Sequence, residues 1–125
     1  MSYKSVLLLV VPLLAAVVFS LGCTQQVSFE QNVHPVLREK CVECHKEGGD
    51  GYIKSGLNLE TYEGLMKGTK FGPIIKPGSS VDSTLVILIE HKAHSSINMP
   101  HGKDPLPEEQ VKLIKQWVDQ GAKNN

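Results

Sequence analysis

The chain has 125 residues, of which 13 are basic and 13 acidic, so its formal net charge is zero. This length is typical of a single domain, and a chain without excess positive charge is not expected to bind nucleic acid. Hydrophobic residues make up 41% of the sequence but aromatic residues only 6%, so we expect the core to be modest.

The first 22 residues are predicted to be a signal peptide. Lys4 supplies a short basic start, and an apolar run from Val6 to Phe19 follows it. The run is shorter than the roughly 20 residues that span a bilayer comfortably. The sequence therefore predicts a chain that is exported, to the periplasmic side of a bacterial membrane or to the cell surface.

A cysteine follows the apolar run directly. Gly22 and Cys23 resemble a bacterial lipobox, in which the cysteine is acylated and becomes the new N-terminus, although Ser20 and Leu21 stand in the reverse of the usual order. Cys23 is therefore the predicted lipidation site and would anchor the protein to the membrane. Ordinary cleavage after Gly22 and an uncleaved anchor remain alternatives. The predicted division is residues 1–22 as signal peptide, 23–27 as lipidated cysteine and tether, and 28–125 as folded domain.

The folded part is predicted to begin with a helix. Ser28 followed by Gln31 is a capping-box start, and one helical stripe of apolar side chains follows it. Pro35 removes one backbone hydrogen bond and should kink this helix or restart it. The stripe consists of Phe29, Val33, Val36 and Leu37.

This helix leads directly into the sequence CVECH, residues 41–45. That spacing is the attachment signature of a c-type haem: Cys41 and Cys44 each add to a haem vinyl group, and His45 ligates the iron. A buried porphyrin would also enlarge the modest core. If Cys23 carries lipid, all three cysteines of the chain have a role and none is left for a disulfide.

Two other interpretations of CVECH need comparison. A thioredoxin-like thiol pair would lie between a strand and a helix, whereas an amphipathic helix precedes this motif. A zinc site would use Cys41, Cys44, His45 and one distant histidine. Haem attachment accounts best for the motif.

The rest of the chain is predicted to alternate short helices with loops rich in glycine and proline, without strands. We expect Thr61 and Ser80 to cap the two middle helices, the second with one buried face, and a last helix to start near Pro107 and end at Gly121. The predicted loops are 46–56, 68–80 and 91–104. The buried positions are Val81, Leu85, Leu88 and Ile89, then Val111, Ile114, Trp117 and Val118.

Several short motifs, together with CVECH, resemble the small single-haem cytochrome c domains of bacteria, in particular those of planctomycete proteins. The resemblance implies an all-α fold of three to five short helices around one covalently bound haem c. It also implies that the first and last helices cross, with Phe29 and Val33 near Trp117. The motifs are Val33, Pro35–Leu37, Gly56–Leu59 (GLNL), Pro77–Ser79 (PGS), Met99–Pro100 and Trp117–Ala122 (WVDQGA).

The resemblance further implies that the loop before the last helix delivers a methionine to the far side of the iron. Met99 fits this role, because a thioether is a soft, neutral donor that favours ferrous iron. His101 in the same loop is the alternative sixth ligand. We expect His91 and His94 to be solvated loop residues and Met66 to fill the core.

The sequence thus predicts an exported, lipid-anchored electron-transfer protein that carries one electron on a haem ligated by His45 and Met99. Its partners would be a redox protein donor and acceptor, with no catalytic residue and no small-molecule substrate. One alternative is a haem-based sensor or peroxidase-like enzyme with a displaceable sixth ligand. Another is an accessory cytochrome subunit of a larger redox complex.

Overall fold

A computed structural model describes residues 25–125, and the predicted signal peptide and Cys23 lie outside this range. Its helical elements are a π-helical turn and five α-helices, and residues 25–125 contain no β-strand, so the predicted all-α fold is confirmed. No helix in this range is both long and apolar enough to cross a bilayer. The elements are the turn Phe29–Val33, α1 His34–Lys40, α2 Asp50–Ser55, α3 Tyr62–Lys67, α4 Thr84–Ile89 and α5 Glu108–Asp119.

The first helical stretch begins after the predicted cap, and a second helix begins near Pro35, as predicted. Ser28 Oγ accepts a hydrogen bond from the main-chain N of Gln31 at 3.1 Å. The returning bond joins Ser28 N to Asn32 Oδ1 at 2.9 Å, so Asn32 takes the part expected of Gln31. Pro35 stands in the first turn of α1, where its missing N–H is tolerated, and it separates the π-helical turn from the α-helix.

The first and last helical elements meet through aromatic rings. The Phe29 ring lies 5.5 Å from the Trp117 ring and 5.2 Å from that of Tyr62, centroid to centroid. Both polar tips are satisfied: Trp117 Nε1 donates to Lys123 O at 2.9 Å, and the Tyr62 hydroxyl donates to Ala122 O at 2.8 Å. The predicted proximity of Phe29 to Trp117 is confirmed.

Asn125 also ties the two ends of the described chain together. Its main-chain oxygen accepts from Glu30 N at 3.0 Å and from Ser28 Oγ at 2.6 Å. Its side-chain Oδ1 accepts from Phe29 N at 3.0 Å. Helix N-termini leave main-chain N–H groups without intrahelical partners, and these contacts satisfy two of them.

The start of α4 differs from the prediction. Ser80 does not cap this helix, because its N and Oγ both donate to the Asp119 carboxylate, at 2.7 and 3.0 Å. The helix begins after Ser83, which makes no capping bond and instead lies fully buried. Val81 is 76% exposed, and Val86 takes its place on the buried face beside Leu85 and Ile89.

A second difference lies in the predicted loop 46–56, where the chain forms α2. This helix ends at Gly56, whose φ of 74° is the left-handed conformation that glycine adopts without strain. The other predicted boundaries hold closely. Thr61 caps α3 by accepting from Gly64 N at 3.0 Å, and α5 begins directly after Pro107.

Candidate functional site

The CVECH motif follows α1 as a wound turn. Cys41 N donates to Leu37 O at 2.9 Å, and His45 N donates to Cys41 O at 3.0 Å, so helical winding continues past the end of α1. Cys41 is partly buried, Cys44 is exposed and His45 is 9% exposed. One short turn therefore carries both thiols and the imidazole.

The segments that follow hold this turn in place. Tyr52 N, in α2, donates to Cys44 O at 3.0 Å. Leu59 N, at the end of the GLNL motif, donates to His45 O at 2.8 Å. Main-chain hydrogen bonds with α1, with α2 and with Leu59 thus fix the motif. Its cysteine and histidine side chains take no part in these bonds and remain available for chemistry.

The environment of Cys41 does not favour thiol redox chemistry. Burial raises the pKa of Cys41 to about 11, with a further contribution from Cys44 that the charge of Lys103 opposes. Thiols that attack disulfides react as thiolates and have lowered pKa values. Cys41 is a neutral thiol near pH 7, which argues against the thioredoxin-like interpretation.

His45 is buried beside α2. Its imidazole Nδ1 is buried and has no hydrogen-bond partner. Burial lowers the pKa of His45, and a smaller contribution from the Leu57 main chain opposes this shift. The ring is therefore neutral near pH 7, as metal ligation requires.

Gly51 lies directly against this imidazole. A Cβ atom at residue 51 would stand 2.8 Å from His45 Cε1 and 2.9 Å from Nδ1, closer than real Cβ contacts allow. Only glycine therefore fits here without a shift of α2 or of the ring. The sequence gives no sign of this contact, because a glycine in a glycine-rich stretch normally indicates a turn.

The side chains of this turn fit a haem. Because Nδ1 lies against α2, Nε2 is the nitrogen of this neutral imidazole that could ligate iron, and two uncommitted thiols three residues apart can form the two thioethers. The zinc interpretation requires four converging ligands. Within residues 25–125, no group of three or more His, Cys, Asp or Glu side chains converges to hold a metal ion.

The structure holds Met99 firmly in the loop before α5. Its side chain is partly buried and packs against the hydrophobic core. Met99 N donates to Leu88 O at 3.1 Å, and His91 Nε2 donates to Met99 O at 3.0 Å. His91 is exposed, as predicted, but sequence reasoning missed its bond to Met99. His101 is exposed and makes no side-chain hydrogen bond within the part of the chain that the structure describes.

An ion pair joins this loop to the CVECH turn. Lys103 Nζ lies 2.6 Å from Glu43 Oε2, across 60 positions of sequence. The hydrogen bond from Lys103 is the main cause that lowers the pKa of Glu43. Sequence reasoning missed this contact, since nothing local marks an exposed lysine and an exposed glutamate as partners.

Comparison with known families supports the same assignment. The family model described as planctomycete cytochrome C matches residues 41–101, a range that starts at Cys41 and includes Met99. Neither a curated protein nor a solved structure is similar enough to the chain to count as a match.

Proposed function

We propose, from the premise that the chain carries a planctomycete-type cytochrome c-like domain, that it is an exported electron-transfer protein with a single haem c. A cytochrome c domain implies haem and a role in electron transfer. The wound CVECH turn, which presents two uncommitted thiols and the imidazole of His45 together, is the observation that carries the proposal.

In this proposal Cys41 and Cys44 hold the haem covalently, and His45 is the proximal ligand of its iron. When bound, the haem supplies one reversible electron at the iron. The main-chain bonds from Tyr52 and Leu59 keep the motif in a fixed conformation. Gly51 lets α2 close over the imidazole and shield it from water.

Met99 is the proposed distal ligand. Its main chain is held on both sides, by Leu88 and by His91, and its side chain lies against the core. A methionine held in this way favours ferrous iron and closes the iron to peroxide and oxygen. The exposure of His101 makes it the weaker candidate, because ligation would require that side chain to turn inward.

Export and anchoring are proposed from the sequence, with residues 1–22 as signal peptide and Cys23 as lipidation site. Gln120 Nε2 donates to Gln25 O at 3.2 Å, and Val27 N donates to Gln120 Oε1 at 2.7 Å, so contacts with the end of α5 begin within the predicted tether 23–27. The protein would lie at a membrane surface between a redox donor and an acceptor protein. Labelled palmitate should enter the wild-type protein but not Cys23→Ala, and equal labelling would remove this part of the proposal.

Acid–acetone extraction of the purified protein tests covalent attachment. The colour should stay with the protein, and one haem per chain should be found. Cys41→Ala and Cys44→Ala should each lose stable attachment at that thioether, whereas Cys23→Ala is the matched control and should keep the haem. Colour that moves into the solvent would remove the covalent proposal.

The near-infrared band of sulfur-to-iron charge transfer tests the distal ligand. The oxidised wild type and His101→Ala should show this band, and Met99→Ala should lose it. Reduced wild-type protein should not bind carbon monoxide, whereas reduced Met99→Ala should bind it. Loss of the band in His101→Ala alone would assign the ligand to His101, and rapid carbon monoxide binding by the wild type would favour the sensor or peroxidase-like alternative.

A further inference from the structure

The stretch between Met99 and Leu106 is weakly attached to the rest of the protein. Residues 101–105 are all exposed, and the next buried side chain is that of Leu106. Within the described part of the chain, residues 100–105 make one hydrogen bond or ion pair to another element. This is the pair between Lys103 and Glu43.

The Glu43–Lys103 ion pair connects two parts of the candidate haem site. Glu43 stands between the two cysteines of CVECH, and Lys103 follows Met99 by four residues. The pair therefore joins the element that would hold the haem to the loop that would supply its distal ligand. At 2.6 Å its two groups are in direct hydrogen-bond contact.

We propose that Lys103 is a positioning residue, whose ion pair with Glu43 fastens the Met99 loop onto the haem-binding turn and so slows release of the distal ligand. This inference rests on the proposed role of Met99. Lys103 acts through that residue and does not itself touch the iron. We call the pair the Glu43–Lys103 clasp.

Exposed ion pairs contribute little to global stability, so the clasp should act locally. Loops open separately from the core, with a free energy set by the contacts that the opening breaks. Since residues 100–105 have no other polar contact with another element of the described structure, the loss of the clasp should raise the open fraction by roughly two- to five-fold. The free energy of global unfolding should hardly change.

Charge reversal in the haem-loaded protein tests the clasp. The variants are Glu43→Lys, Lys103→Glu and the double variant that carries both. Glu47→Lys and Lys112→Glu make the same charge changes at exposed residues that form no ion pair in the described structure. Lys103→Arg keeps the charge and should behave as the wild type.

Two measurements apply to each variant. The first is the limiting rate of imidazole binding to the ferric protein, which reports release of the distal ligand. The second is hydrogen exchange of the Met99 amide, which is protected by its hydrogen bond to Leu88 O and so reports loop opening whatever the ligand is. Both single reversals should raise both rates about two- to five-fold. The double variant should return towards wild type, and added salt should speed the wild type but not the single reversals.

Different contrary results would overturn different parts of the proposal. Unchanged exchange in Lys103→Glu would overturn the clasp, and so would a double variant whose fold-increase equals the product of the two single increases. Faster exchange without faster imidazole binding would overturn its effect on the ligand. A wild-type protein without the sulfur–iron band would refute Met99 ligation, and hydrogen exchange would still decide the clasp. If Glu43→Lys gives little holoprotein, the Lys103 variants and the salt series decide it alone.

Discussion

The contact between the terminal helices and the loop before α5 differ in how they are held. Phe29 and Trp117 are no more than 1% exposed, and the Phe29 N and the Trp117 Nε1 are each hydrogen-bonded to the C-terminal segment. Residues 101–105 are all exposed, and within residues 25–125 a single ion pair ties them to another element. The contact between the terminal helices is thus part of the hydrophobic core, whereas the loop before α5 lies at the surface.

The difference separates stability from ligand control. At the terminal helices, buried apolar side chains and hydrogen-bonded polar groups stabilise the folded state. The loop contributes little to that quantity, so it can open while the terminal helices stay packed. Substitutions of the same chemical type should therefore have unequal effects in the two regions.

Truncation of an aromatic ring should show the largest effect. Phe29→Ala removes a fully buried ring and should lower the free energy of unfolding by about 3–5 kcal/mol. Phe71→Ala is the matched control, since that ring is 85% exposed, and it should cost less than about 0.5 kcal/mol. Guanidinium unfolding of the haem-loaded proteins measures both. Similar costs would contradict the assignment of the core to the terminal helices.

Removal of a carboxylate should have an intermediate effect. Asp119→Ala leaves the buried N and Oγ of Ser80 without an acceptor and should cost about 1–3 kcal/mol. Asp104→Ala, in the exposed loop, removes the same group from a residue without a hydrogen bond in the described structure. It should cost less than about 0.5 kcal/mol. A larger loss for Asp104→Ala would show that the loop contributes more than its contacts indicate.

Glu90, where α4 passes into the loop, should show the smallest effect and a pH dependence. Its hydrogen bond from Lys115 is the main cause that lowers its pKa, and Lys92 adds a second bond. A lowered pKa in the folded state stabilises the protein above the ordinary value of 4.5, and this stabilisation is lost as the pH falls through the folded value. Glu90→Gln should therefore cost up to about 1 kcal/mol at pH 7.

The cost of Glu90→Gln should shrink when unfolding is measured below pH 4.5. Glu63→Gln, at an exposed glutamate without an ion pair in the described structure, is the control. A constant cost for Glu90→Gln would mean that the Lys115 contact does not stabilise the folded state.

Local patterns predicted much of this fold. The caps at Ser28 and Thr61 and the buried stripe of the first helix are confirmed, because each depends on neighbours in sequence. Helix α2 was missed, since its formation depends on contacts with the haem-binding turn, among them the bond from Tyr52 N to Cys44 O. Local propensity carries no information about such contacts.

The candidate site, like the fold, could be predicted only in part from local sequence patterns. CVECH and Met99 could be selected from the sequence because their residue types and spacing carry the chemistry, and their ligand roles stay predictions. The supports of the site could not be selected. Gly51 acts through a missing Cβ, His91 through one bond to a main-chain oxygen, and Lys103 through a partner 60 residues away.

The position of Trp117 has an optical consequence. It is the one tryptophan of the 125 residues and is 1% exposed, so the intrinsic emission of the chain has a single dominant source. In the folded protein that emission should be blue-shifted and inaccessible to iodide. A covalently attached haem would quench it by energy transfer, and unfolding would separate the two chromophores without releasing either. The increase in emission would then report the separation of Trp117 from the haem-binding turn, in the same sample and with no added dye.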